Sequence, residues 1–134
     1  MGYNVEHIGI AVKNLKQSIP LYERLLGSPC YKTESVDSEK VNTAFFLHEG
    51  AKIELLESSE PDGVISKFIE KKGEGMHHIA FEVPDIEAEM VRLRKEGFTL
   101  LNEVPKKGAD QKLVCFVHPK DCNGVLIELC QTIR

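Results

Sequence analysis

The 134 residues include 42% hydrophobic and 28% charged side chains and carry a net charge of −4, the composition of one soluble globular domain long enough to bury its own core. The acidic balance gives no footprint for nucleic acid or an anionic membrane, and no apolar run approaches the roughly 20 residues of a spanning helix. In chain order, "MGYNVEHIGIAV" puts Glu6 and His7 within its first apolar run and has no basic leader, so it does not read as a signal peptide. "HIGIAV" (7–12) reads as a strand, and 14–27 as a helix capped by Asn14 and stopped by Gly27, with Pro20 expected to kink or divide it. "VNTAFFLHEG" and "AKIELLES" follow as a hairpin turning near Glu49-Gly50, then a short helix over 62–73. The scheme restarts with strand "HHIAFEV", a helix over 85–97 ending at Gly97, and strands "KLVCFVHP" and "GVLIELCQ".

Laid in register, "HIGIAVKNL" from residue 7 matches "HIAFEVPDI" from residue 78, and "IELLE" from 53 matches "IELCQ" from 127. The fold class expected is therefore α+β: a single domain of two tandem βαβββ modules, about 5–60 and 76–131, joined by the helix at about 62–73. Strand side chains alternate between two faces. Ile8, Ile10 and Val12 share the face a helix would cover, leaving His7, Gly9 and Ala11 on the other; Ile79, Phe81 and Val83 leave His78, Ala80 and Glu82. His78 is thus the repeat partner of His7, and His77 points away. Glu54 and Glu128 stand likewise opposite their apolar neighbours Ile53, Leu55, Ile127 and Leu129.

A carboxylate flanked by apolar strand residues is costly to bury unpaired. The usual fate of a lone strand His is a satisfied core or edge position, and of a lone "IEL" Glu a solvated face. Finding both types at equivalent positions twice points instead to one divalent ion held by His7, Glu54, His78 and Glu128. Mixed N and O ligation suits Co²⁺, Mn²⁺, Ni²⁺, Zn²⁺ or Fe²⁺, with cobalt taken first. Four protein ligands leave positions open on an octahedral ion, the mark of a catalytic site. Cys30, Cys115, Cys122 and Cys130 form no CxxC pair, and Cys115 and Cys130 fall in apolar strand runs as buried thiols, which fits a reducing cytoplasm.

The stretches "VEHIGIAVKNL", "IELLESSEPDGVISKFIEKKGEGMHHIAFEV", "DIEAEMVRLRKEGFTLLNEVP" and "HPKDCNGVLIELCQ" resemble the vicinal oxygen chelate (glyoxalase/bleomycin-resistance/dioxygenase) superfamily and, within it, the methylmalonyl-CoA epimerase family. The resemblance covers about residues 5–131, and "KFIEKKGEGMHHIAFEV" is its most specific block. It implies half-barrels closing on one metal, the same four ligands, an acyl-CoA thioester substrate and a homodimer. It also implies an isomerase that interconverts the (2R) and (2S) epimers by α-proton abstraction. Glu128 is the candidate for one acid/base group. Relatives tend to carry an acid just before a Gln-Gly-Val where this chain reads "SVDSEKVNT", so Asp37 or Glu39 is the candidate for the second.

His118 and Lys120 in "HPKD" belong near a substrate mouth, against the plainer reading of a solvated turn. Lys106, Lys107 and Lys112 flank a loop at 108–110 that is either a substrate loop or an ordinary exposed one. Glu82 shares the parity of His78 but sits toward the strand's far end. The strand "KIELLES" or the first strand is expected to be an exposed edge suited to pairing between chains. Two other functions fit the same ligands: a glyoxalase I-type lyase acting on a thiol hemithioacetal, and a non-enzymatic binder of small chelating molecules.

Overall fold

The computed structural model describes residues 3–134; Met1 and Gly2, at the head of the stretch read above for a leader, lie outside them. The described chain is mixed α+β, with eight strands and three α-helices. The first half runs β1 (Asn4–Ala11), α1 (Leu15–Leu26), β2 (Lys32–Val36), β3 (Val41–Phe46) and β4 (Lys52–Ser58). Next come α2 (Val64–Lys72), β5 (Gly75–Glu82), α3 (Ile86–Lys95), β6 (Lys106–Lys107), β7 (Lys112–Val117) and β8 (Ile127–Thr132). The elements divide into two compact units, one of His7–His77, the other of His78–Arg134 with residues 3–6. No described helix is long and apolar enough to cross a membrane.

In the His7–His77 unit the strand order is β2-β3-β4-β1. Neighbours β2, β3 and β4 are antiparallel, and β1 lies parallel to β4. The strand "KIELLES" is paired on both sides, so it is interior rather than an edge, and β2 is the edge here. Alternation sorts the apolar residues as the sequence requires. Ile10, Val12, Ile53 and Leu55 pack under α1 with Leu15, Ile19 and Leu26. Ala11 and Leu56 face the other way, against Ile65, Phe68 and Ile69 of α2.

Local chemistry fixes the ends of α1. The Asn14 side chain accepts from the Gln17 amide at 3.3 Å, Glu57 accepts from the Leu15 amide at 2.9 Å, and Gly27 takes the left-handed conformation at φ 64°. Pro20 does not divide the helix. It lies on the exposed side, where water can satisfy the carbonyl left without an amide donor. Asn14→Ala is expected to cost about 1 kcal/mol, read as a lower urea midpoint with an unchanged slope.

In the other unit the order is β5-β8-β7-β6, with β5 parallel to β8 and the remaining neighbours antiparallel. Ile86, Met90 and Leu93 of α3 pack on Val83, Cys115, Val117 and Leu129. Ala80, Val114 and Cys130 form a separate cluster with Phe116 on the opposite face. Asp85 caps α3 by accepting from the Ala88 amide at 3.1 Å. The helix closes at Lys95, two residues before the positive-φ Gly97.

Candidate metal centre

Two histidine–glutamate pairs are built by the same local device. On β1 and β4, Gly9 is the cross-strand partner of Glu54; on β5 and β8, Ala80 is the partner of Glu128. Each histidine lies two residues before that small partner, hence on the same face as the glutamate and diagonal to it. The absence of a large side chain at Gly9 and Ala80 lets the imidazole lean over to the carboxylate. His7 Nε2 stands 3.1 Å from Glu54 Oε1, and His78 Nε2 stands 3.2 Å from Glu128 Oε1. All four residues are buried.

These pairs suit a divalent ion. Two donor atoms bound side by side on a six-coordinate ion at about 2.1 Å are about 3.0 Å apart, close to both observed separations. Imidazole nitrogen with carboxylate oxygen is a borderline-to-hard donor set. Each pair also rests against an aromatic side chain. Phe45 is the cross-strand partner of Glu54, and Phe116 is that of Glu128 and meets the His78 ring edge-on at 6.2 Å between centroids.

The neighbouring His77 has a different environment. Its ring packs edge-on against Phe68 of α2, centroids 4.9 Å apart, and burial pushes its pKa down to about 4. It is a neutral packing residue at physiological pH. Cys115 and Cys130 are fully buried, and burial raises the Cys115 thiol to about 11, which leaves it inert as a nucleophile.

The remaining expected site residues fall in separate places. Asp37 and Glu39 occupy a 3₁₀ turn between β2 and β3, Asp37 exposed and Glu39 half-buried. The next residue, Lys40, has φ 55° and binds Asp62 at 2.8 Å. His118 caps a second 3₁₀ turn, accepting through Nδ1 from the Lys120 amide at 3.0 Å, and the Lys120 side chain is exposed. Lys112 opens β7 and is buried; its ammonium lies 3.1 Å from Glu82, 2.8 Å from the Thr132 hydroxyl and 3.8 Å from Glu6. Glu82 also accepts from the Thr132 amide and hydroxyl.

Two residues missed in the sequence share the face of the His7–Glu54 pair. Lys32 and Glu34 of β2 form an ion pair at 3.5 Å, and the Lys32 ammonium stands over the Phe45 ring, 5.5 Å from its centre. No apolar run marks β2, so its parity could not be read before its partner strand was known.

Residues 6–116 match the Glyoxalase/Bleomycin resistance protein/Dioxygenase superfamily. An uncharacterized protein of Bacillus subtilis, YqjC, is 39% identical over 95% of this chain and 91% of its own length. The mitochondrial methylmalonyl-CoA epimerase of Homo sapiens is 38% identical over 95% of this chain and 73% of its own. The structure of a Streptomyces coelicolor methylmalonyl-CoA epimerase variant in complex with 2-nitronate-propionyl-CoA superposes with a TM-score of 0.91 at 33% identity, covering 98% of both chains.

Proposed function

The chain belongs to the Glyoxalase/Bleomycin resistance protein/Dioxygenase superfamily and is an isomerase of the epimerase class, and from that premise we propose that it interconverts (2R)- and (2S)-methylmalonyl-CoA. The observation that carries this reading is the doubled His–Glu pair, placed twice by the same register, in a chain whose relatives include epimerases of this substrate. In the proposal the two stretches act as tandem modules, and His7, Glu54, His78 and Glu128 hold a single divalent ion, cobalt(II) first among the candidates. Bound there, such an ion would supply Lewis-acid stabilisation of the negative charge that develops on the substrate's oxygens.

The chain's own groups do the rest. The α-proton lies between a thioester carbonyl and a carboxylate, and its removal leaves a planar carbon that either side can reprotonate. Inversion therefore needs an acid/base group on each side. Glu128 is one, receiving or returning the proton through a carboxylate oxygen. For the second the sequence pointed to Asp37 or Glu39, in the turn between β2 and β3. His118 and Lys120 meet the anionic groups of the acyl-CoA. A cytoplasmic homodimer completes the reading.

Incubation of cobalt-loaded protein with methylmalonyl-CoA in D₂O, followed by NMR at the α-carbon, tests it. Deuterium should enter both epimers as they interconvert. Absence of exchange with cobalt, manganese, nickel, zinc and iron alike would sink the reading, and turnover of a hemithioacetal in a parallel assay would replace it with the lyase.

A further inference from the structure

We propose that Glu34 is the second acid/base group of the epimerase site; this rests on the epimerase reading above. Cross-strand partners share a face, so the register lays out rows across the sheet. Lys32, Phe45, Glu54 and Gly9 make one row, and Glu34, Thr43, Leu56 and Ala11 make the next on the same face. Glu34 is thus one row and two strands from the ligand Glu54. With strands about 4.8 Å apart and about 6.7 Å per row, their backbones are about 12 Å apart, with Thr43 and Phe45 between them on the shared face.

Asp37 and Glu39 are placed less well. Their turn lies beyond the Val36–Val41 row, which is itself two rows past Glu54. That puts them about 13 Å or more along the strand direction from the ligand row. Glu34 is also held in place. The buried Thr43 hydroxyl donates to its backbone carbonyl at 2.9 Å, and Lys32 anchors its carboxylate from above Phe45. Its side chain is 31% exposed, so a substrate can reach it without rearrangement of the core.

In one direction the Glu34 carboxylate takes the α-proton: an O–H bond forms, the C–H bond breaks, and its electron pair delocalises into the adjoining carbonyl. A proton returned to the same carbon on its other side, the role given above to Glu128, completes the inversion. The reverse direction exchanges the two roles, and no redox partner is needed.

Glu34→Gln keeps the size of a partly exposed side chain, so the variant should fold and bind metal as the wild type does. Epimerisation should fall by about 100-fold or more, while deuterium still enters one epimer, the one whose proton Glu128 removes. A general structural fault would slow both epimers together. The proposal is overturned if Glu34→Gln epimerises at the wild-type rate, if exchange from both epimers falls equally, or if Asp37→Asn or Glu39→Gln gives the one-sided pattern instead. A wild-type protein that exchanges neither epimer refutes the epimerase reading itself, so the two failures are distinguishable.

Discussion

His78→Ala is expected to abolish stoichiometric divalent-ion binding, weakening it more than about 100-fold, whereas His77→Ala should stay within about threefold of wild type. Loss of an outer-shell partner alone costs about 10–100-fold in metal affinity, so loss of a ligand should exceed that range. The two residues are chain neighbours on β5, and only pleat alternation separates them. His78 turns to Glu128 at 3.2 Å, while His77 turns to Phe68 of α2. Because burial already holds His77 neutral, its truncation removes packing and no charge. The measurement is calorimetric titration of chelator-treated protein with manganese(II) or cobalt(II). A His77 variant that loses the ion while the His78 variant keeps it would invert the assigned register. His7→Ala should match His78→Ala, because Gly9–Glu54 and Ala80–Glu128 are the same construction.

Much of this was legible because hydrophobic alternation has a period of two and the sequence repeats it. Ile10 and Val12 against Ala11, and Ile53 and Leu55 against Leu56, sort to opposite clusters as their spacing requires. The same spacing singled out His7, Glu54, His78 and Glu128. What escaped was carried by strands with no apolar signature. β2 reads "KTESV" and β6 is two lysines; both are edge strands with few core positions to mark them. Glu34 was hidden for that reason, since its face depends on pairing with Thr43 across β3. Lys112 was read as the start of a strand beside that loop, which β7 bears out, but its burial was not legible: Asp110 and Gln111 before it are polar, and both have positive φ. Nothing local announces that the next side chain enters a buried cluster, whose partners lie 20, 30 and 106 residues away in sequence (Thr132, Glu82 and Glu6).

That cluster sets the second large effect: Lys112→Met should destabilise the fold by about 3 kcal/mol, seen as a lower denaturant midpoint. The Lys112 side chain is 7% exposed and that of Glu6 8%, so the substitution leaves a buried carboxylate without the ammonium beside it. Breaking a buried pair from one side costs about 3–5 kcal/mol, and the one-third exposure of Glu82 places this case at the lower end. Replacing Lys112, Glu82 and Glu6 together by apolar residues of similar size should recover most of the loss, because the apolar set no longer has charges to desolvate. A single variant within 1 kcal/mol of wild type would show that the cluster contributes little. The consequence reaches the metal centre through the ladder. Glu82 lies four residues beyond His78 and Thr132 four beyond Glu128, and Glu82 grips Thr132 through both amide and hydroxyl. Only four residue pairs define the β5–β8 register, and slippage by one residue would turn a strand's ligand to the opposite face. Lys112→Met should therefore weaken metal binding as well as stability.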